Sequence, residues 1–88
     1  MKEYLILHLK FKTMKSKIEL YTSDKVKQYR LEAEMSLQYF ADCLNVTPQF
    51  IHDCENPQKA QAFNFDHVNE IAKLLKRPLW DFISKYPL

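Results

Sequence analysis

Residues 36–55 contain the local signals for two short helices joined by a tight turn. Ser36 and Thr47 each stand before a helical pattern, and their hydroxyl groups can accept hydrogen bonds from the unpaired amides of a first helical turn. Pro48 follows Thr47 at the first helical position, where its missing N–H costs nothing. Asn45 lies between the two patterns, and in a chain without glycine it is the residue that best tolerates a left-handed helix end. The sequence therefore predicts a helix, a turn at Asn45 and a second helix.

The apolar residues of this segment favour the same layout. Phe40, Ala41 and Leu44 fall at helical spacing on one side of the first helix. Ala41 is small at the place where a second helix has to cross closely. Val46 can fill the turn, and Ile51 can face the core from the second helix. This is the layout of a helix-turn-helix, a motif whose second helix enters the major groove of DNA.

The composition predicts a single all-α domain. The 88 residues are 47% apolar and include six Phe, five Tyr and one Trp, which suffices for a compact core. The lack of glycine and the scarcity of turn clusters argue against a β-sandwich or barrel. No apolar run approaches the roughly 20 residues that span a bilayer, and no small-residue cleavage site follows the N-terminal apolar stretch. We therefore expect a cytoplasmic protein.

The N-terminal residues have a different pattern. Leu5, Leu7, Leu9 and Phe11 alternate with Ile6, His8, Lys10 and Lys12, which predicts a strand with one fully apolar face. Residues 17–21 form a shorter pattern that could be a second strand. We therefore divide the chain into a β arm or hairpin at residues 1–23 and a helical domain at residues 24–88. The arm would pair with a second subunit, because an isolated strand exposes its edge. The alternatives are an arm that folds back on its own domain, a disordered arm, and a natural start at Met14.

Further helical patterns flank the central segment. Residues 25–35 (KVKQYRLEAEM) precede it, and residues 63–75 (FNFDHVNEIAKLL) and 78–83 (PLWDFI) follow it. Residues 25–83, about two thirds of the chain, resemble the phage-repressor-like (Xre) helix-turn-helix family. Residues 51–82 are similar to a variant of that family in Bacteroidetes-type regulators. The resemblance implies a five-helix lambda-repressor-like domain that binds double-stranded DNA.

The resemblance also implies roles for individual residues. In the family, an arginine on the first helix pairs with a glutamate at the end of the third, and Arg30 and Glu55 stand at these positions. The third helix docks in the major groove, so its exposed residues would face base edges. Among them, the Gln49 amide can bridge N6 and N7 of adenine. The residues expected to meet DNA are Ser36, Leu37, Gln38, Thr47, Pro48, Gln49, Phe50, His52 and Asp53.

The sequence argues against enzymatic and metal chemistry. Cys43 and Cys54 are expected to be buried or half-buried thiols, since a disulfide is improbable in a reducing cytoplasm. His52 and Cys54 lie two positions apart on one helix and point about 200° apart, so they cannot close one tetrahedral zinc site. No pair of carboxylates lies beside a nucleophile, and a chain without glycine has no Gly-rich phosphate loop. We expect no enzyme activity, metal or cofactor.

The charge distribution argues against strong DNA binding by the helical domain. The whole chain has a net charge of +2, but residues 25–88 hold eight Lys or Arg and eight Asp or Glu. Counterion release from phosphates supplies most nonspecific affinity, so a neutral domain should bind weakly unless its cations are well placed. Lys59, Lys76 and Arg77 are the candidates for phosphate contacts. Leu37 stands where the family often has a glutamine that holds the DNA backbone.

Two functions remain as hypotheses. The first is a sequence-specific transcriptional regulator, a repressor that binds a palindromic operator as a homodimer. The second is a protein-interaction module with the same fold, such as an antitoxin whose main partner is a toxin. Gln49 and the basic arm favour the first, whereas Leu37, Asp53 and the neutral domain favour the second.

The C-terminal aromatic residues are expected to belong to the core. Trp80 or Phe82 would pack under the first helix. The apolar residues Ile83, Tyr86 and Leu88 could instead extend a subunit interface.

Overall fold

The computed structural model describes residues 13–88, which form four α-helices and one short 3₁₀ turn. The helices are α1 (Lys17–Glu32), α2 (Leu37–Leu44), α3 (Pro48–Glu55) and α4 (Phe65–Leu75), and the 3₁₀ turn covers Leu79–Asp81. This part of the chain contains no strand, so the all-α prediction holds for it. None of its helices is long and apolar enough to cross a membrane.

One hydrophobic core joins all four helices. Helix α2 contributes Phe40 and Ala41, both fully buried, from the stripe that the sequence predicts. Helix α3 contributes Ile51 and Cys54, also fully buried. Leu44 and Val46 pack against the core as half-buried residues. The remaining core residues are Val26, Phe63, Val68, Ile71, Ala72 and Phe82.

Helix α1 begins earlier than the sequence pattern suggests. Residues 17–21 are its first turns, so the prediction of a second strand there is wrong. A capping box explains this start: the Ser16 hydroxyl accepts from the Glu19 amide at 3.3 Å, and the Ser16 amide donates to the Glu19 carboxylate at 2.9 Å. The predicted division after residue 23 falls inside this continuous helix. The strand predicted at residues 5–11 lies outside the described residues.

The C-terminal segment does not form the predicted fifth α-helix. Only the 3₁₀ turn Leu79–Asp81 follows α4, and no side-chain hydrogen bond caps its start at Pro78. Phe82 nevertheless reaches the core, where its ring packs edge-on against Tyr29 of α1 with centroids 5.4 Å apart. Trp80 is 78% exposed, so Phe82 alone fills the predicted place under the first helix.

The other C-terminal apolar residues divide between the core and the surface. Ile83 is half-buried and packs against the core, whereas Tyr86 and Leu88 are exposed.

Candidate nucleic-acid interface

The turn between α2 and α3 has the geometry that its sequence predicts. Asn45 adopts the left-handed conformation, with φ 58° and ψ 43°. The Asn45 amide donates to the Asp42 carbonyl at 3.2 Å, and the Val46 amide donates to the Ala41 carbonyl at 3.0 Å. These two bonds form a Schellman motif, which satisfies carbonyls that the end of α2 leaves unpaired. The motif sets the direction in which the chain enters α3.

Side-chain hydroxyls cap both helices of the motif. The Ser36 hydroxyl accepts from the Tyr39 amide at 3.1 Å, and the Thr47 hydroxyl accepts from the Phe50 amide at 3.1 Å. Pro48 occupies the first turn of α3, as predicted. Ser36 and Thr47 thus stabilise the N-terminal ends of α2 and α3. The helix dipole is positive at such an end, which favours the binding of a phosphate there.

The outer side of α3 carries a small polar cluster of Gln49, His52 and Asp53. Gln49 and His52 are exposed, and Asp53 is half-buried. The Gln49 amide nitrogen donates to Asp53 Oδ1 at 2.8 Å, and His52 Nδ1 lies 3.6 Å from the same oxygen. These are the three predicted base-reading side chains that the structure brings together. The bond to Asp53 uses one of the two N–H donors of the Gln49 amide, so the second N–H and the carbonyl oxygen remain for bridging an adenine.

Two predicted DNA-contacting residues instead pack into the domain. Phe50 is half-buried, with its ring centroid 6.2 Å from that of Phe63 and 4.9 Å from that of His67. Phe50 precedes the buried Cys54 by four positions, which places both on the same side of α3. Leu37 is also half-buried and packs against the core. The prediction that Phe50 is exposed on the DNA side is therefore wrong.

Helix α2 presents Gln38 and Tyr39 to solvent. Gln38 donates to Asp42 Oδ1 at 2.9 Å, so it pairs with a carboxylate one turn away. Tyr39 is 55% exposed, and its interaction with Cys43 raises the pKa of the phenol above its usual range. The Tyr39 hydroxyl stays protonated at neutral pH and can donate to a phosphate oxygen. Sequence reasoning missed Tyr39, although its position outside the buried stripe of α2 signals exposure.

The two cysteines differ in environment. Cys54 is fully buried, as predicted, whereas Cys43 is exposed, so the prediction of a buried or half-buried thiol is wrong there. Both are free thiols. Burial raises the pKa of Cys54 to about 12, with Lys15 acting in the opposite direction. Among residues 13–88, no three His, Cys, Asp or Glu side chains are grouped so that they could hold a metal ion.

Arg30 and Glu55 form the ion pair that the resemblance implies. Arg30 Nε lies 2.8 Å from Glu55 Oε2, and Nη2 lies 2.8 Å from Oε1. Both side chains are about 95% buried, with exposed fractions of 6% and 5%. The remaining Arg30 nitrogen, Nη1, donates to the Met35 carbonyl at 2.7 Å. A single guanidinium therefore connects α1, the end of α3 and the segment that leads into α2.

A second cation, Lys15, holds the end of α3. Its ammonium donates to the backbone carbonyls of Asp53 at 3.1 Å, Asn56 at 2.6 Å and Lys59 at 2.6 Å. Lys15 is only 5% exposed. Sequence reasoning missed this residue because lysine is usually exposed and its partners are backbone atoms far along the chain.

The predicted phosphate-binding cations are not equivalent. Lys59 and Lys76 are exposed. Arg77 is occupied: it pairs with Asp81 at 3.2 Å and Glu32 at 3.7 Å, and its guanidinium lies 3.7 Å from the Tyr29 ring centroid. The α2–α3 segment contains no Lys or Arg. Its charged residues are Asp42, Asp53 and the paired Glu55, so the surface beside the polar cluster carries no positive side chain from these two helices.

Comparison with known proteins gives matches at the level of structure only. No family model matches the chain, and no curated protein matches it. The clp gene regulator ClgR from Corynebacterium glutamicum superposes with a TM-score of 0.67 and 13% identity, over 77% of this chain and 70% of that one. Hydroxypropylphosphonic acid epoxidase from S. wedmorenis superposes with a TM-score of 0.65 and 19% identity, over 83% of this chain.

The two matches differ in how much of the other protein is involved. This chain spans 36% of the epoxidase, and likewise 36% of HppE in its FeII form with substrate, which superposes with a TM-score of 0.65 and 18% identity. In a second structure of ClgR the match extends over 86% of the regulator's chain. At these identities the likeness shows a shared fold: the helical domain described above is similar to most of the regulator and to about a third of the epoxidase.

Proposed function

We propose that this chain is a sequence-specific DNA-binding transcriptional regulator of the Xre family, a repressor that acts as a homodimer on a palindromic operator. The observation that carries the proposal is the α2–α3 unit. Its turn is set by Asn45, its inner side is buried through Ile51, and its outer side presents Gln49, His52 and Asp53. The fold shared with a gene regulator over 77% of the chain supports the proposal.

In this proposal α3 lies in the major groove with its N-terminal half toward the bases. Gln49 bridges N6 and N7 of an adenine with its carbonyl oxygen and the N–H that Asp53 does not use. The Asp53 carboxylate, which has further lone pairs, accepts from the N4 amino group of a cytosine, and His52 donates to a phosphate or a guanine. First-turn amides of α2 and α3, beside Ser36 and Thr47, approach phosphates without a formal positive charge. These contacts fix the domain on the backbone and leave sequence reading to α3.

The charge of the domain sets how strongly it binds. With eight basic and eight acidic residues in residues 25–88, each domain gains little from counterion release. A homodimer doubles the contacts of one domain and places two copies of α3 on half-sites about one helical turn apart. Binding should therefore depend on operator symmetry more than on general affinity for DNA.

A second function, an antitoxin-like protein-interaction module, is favoured by one observation. The α2–α3 segment has no Lys or Arg, and its outer surface carries the carboxylates of Asp42 and Asp53. Carboxylates repel phosphate groups, whereas a protein partner such as a toxin can offer basic residues to them. In that case the fold would be kept and DNA binding would be weak or lost.

The test is a competition experiment with the full chain at about 50 mM salt, where electrostatic contacts with DNA are strongest. The proposal predicts that a subset of genomic fragments is retained against excess random DNA. Undetectable binding, or binding without preference, would reject the regulator and favour the protein-interaction module.

Variants of α3 then identify the reading surface. Gln49→Ala and Asp53→Ala should change the operator preference, because both side chains lie in the polar cluster. Gln28→Ala and Asp24→Ala are matched controls, since they remove the same groups from exposed positions on α1. If all four variants keep the wild-type preference, α3 is not the reading helix even where binding survives.

A further inference from the structure

The ammonium of Lys15 is bound like a cation in a cage of backbone oxygens. A lysine ammonium has three N–H donors. Each has a carbonyl acceptor here, from Asp53, Asn56 and Lys59. These acceptors lie 38, 41 and 44 residues after Lys15, so the contact joins the start of the described chain to the end of α3.

The three carbonyls mark the place where α3 ends and the chain turns away. The last carbonyls of a helix lack intrahelical partners and carry the negative end of the helix dipole. Here the Asn56 amide bonds back to Asp53 at 3.3 Å, and the Lys59 amide bonds back to Asn56 at 3.1 Å. Lys15 adds a charged donor to both of these acceptors and binds the Lys59 carbonyl as well. Charge-assisted hydrogen bonds of this kind are about twice as strong as neutral ones.

Asp53 connects this cage to the outer surface of α3. Its carbonyl binds Lys15, while its carboxylate holds Gln49 and lies 3.6 Å from His52. Two residues later, the carboxylate of Glu55 is held by Arg30. The final turn of α3 is thus fixed by two buried cations, one acting on backbone oxygens and the other on a side chain. Both cations precede the helix-turn-helix in sequence.

We propose that Lys15 is a positioning residue for recognition by α3. Its ammonium holds the last turn of α3 and the turn at residues 56–59 in one arrangement, and so fixes how Gln49, His52 and Asp53 meet the bases. Lys15 itself touches no DNA, because it is buried against the domain. This role rests on the proposed DNA binding.

The first test compares Lys15→Met with Lys17→Met, which removes an exposed lysine two residues away. Preference for a selected operator over random DNA is measured over a range of salt concentrations. Lys15→Met should reduce the preference at least about tenfold, comparable to one mismatched base pair. It should leave the salt dependence unchanged, since each lost phosphate contact lowers that slope by about 0.9. Lys17→Met should keep the preference.

Chemical rescue separates a missing ammonium from general destabilisation. Lys15→Ala leaves the carbonyl cage without its cation, and added propylammonium can supply three N–H donors at the same place. Propylammonium chloride should restore much of the preference. Tetramethylammonium chloride at equal ionic strength should not, because it has no N–H group. If Lys15→Met is unfolded at the temperature used, the comparison is made on Lys15→Ala with and without propylammonium.

Hydrogen exchange gives a readout that needs no DNA. The amides of Asn56 and Lys59 should exchange faster in Lys15→Met than in the wild type, while amides in the middle of α4 keep their protection. Unchanged exchange at Asn56 and Lys59, or an unchanged operator preference, overturns the inference. A wild-type chain without any DNA preference overturns the proposed function and this role together, whereas a preference that survives Lys15→Met overturns this role alone.

Discussion

Arg30 and Glu55 are joined by two parallel hydrogen bonds of 2.8 Å, and both side chains are removed from solvent. The paired geometry matches the planar guanidinium to the carboxylate and fixes the crossing of α1 and α3. A buried pair of this kind gains little over apolar residues of similar size, but losing one partner leaves an uncompensated charge in the core. The pair therefore acts mainly on the orientation of α3.

Removal of Glu55 should be strongly destabilising. Glu55→Ala leaves the Arg30 guanidinium buried without its anion, and we expect the free energy of unfolding to fall by about 3–5 kcal/mol. Urea denaturation measures this change. The control is Glu70→Ala, which breaks the exposed pair between Lys73 and Glu70 and should cost less than about 1 kcal/mol. A Glu55→Ala loss as small as that of the control would show that the buried pair does not constrain the fold.

The position of Asn45, where the backbone is left-handed, should accept glycine, whereas a β-branched residue there should be destabilising. Asn45→Gly keeps the backbone at φ 58° without strain and should change stability little or raise it. Asn45→Val should lower stability by about 1–2 kcal/mol, because a Cβ-branched residue is disfavoured in this conformation. Thermal unfolding followed by circular dichroism separates the two variants. Equal melting temperatures would contradict the assigned turn.

The two C-terminal aromatic residues should differ sharply on truncation. Phe82→Ala empties a fully buried site beside Tyr29 and should cost about 3–5 kcal/mol. Trp80→Ala removes a side chain that is 78% exposed and should cost about 0.5 kcal/mol or less. Denaturant midpoints of the two variants provide the comparison. The reverse order would place Trp80, and not Phe82, under α1.

The two thiols should react at different rates. Cys43 is exposed and should be labelled quickly by a thiol reagent at pH 8, whereas Cys54 is buried with its pKa raised to about 12. Cys54 should therefore react only when the domain opens, at a rate that denaturant increases. Mass spectrometry of the labelled chain counts the modified thiols, and Cys43→Ser isolates Cys54. Rapid labelling of Cys43→Ser without denaturant would contradict the burial of Cys54.

The same thiol should make stability decrease at high pH. The folded chain keeps the Cys54 proton up to about pH 12, whereas an unfolded thiol loses it near its ordinary pKa of about 8.5. This contribution to stability is fully present below about pH 8.5 and is lost as the pH rises toward 12. Cys54→Ala should remove this part of the pH dependence. Urea midpoints measured between pH 7 and about pH 10 on both chains test it.

Local chemistry explains which parts of the fold the sequence could predict. The signals at Ser36, Asn45 and Thr47 act within about four residues, so both helices and the turn of the motif follow from them. The short alternating pattern of residues 17–21 is compatible with a strand or with a helix. The helix forms because Ser16 caps its first turn. Trp80 and Phe82 are both large aromatic residues in the same short segment. The sequence does not show which of them is buried, because this depends on the packing of Phe82 against Tyr29.

The candidate site was less predictable, since it depends on contacts between distant residues. Gln49 and Asp53 lie on the outer side of α3 as expected, and their hydrogen bond is of the local i, i+4 kind that helical spacing favours. Phe50 looked exposed because its packing partners, Phe63 and His67, come from the segment before α4 and from α4 itself. Lys15 carries no local signal, because its partners are backbone carbonyls near the end of α3.

The most direct test of the central claim is selection of bound sequences from a random pool of double-stranded DNA. A homodimeric regulator predicts a two-fold symmetric consensus with half-sites about 10 base pairs apart, and Gln49→Ala should lose the preference for adenine at one position of each half-site. Gln28→Ala, the exposed control on α1, should select the wild-type consensus. Bound DNA with the composition of the starting pool would contradict the claim that α3 reads DNA sequence.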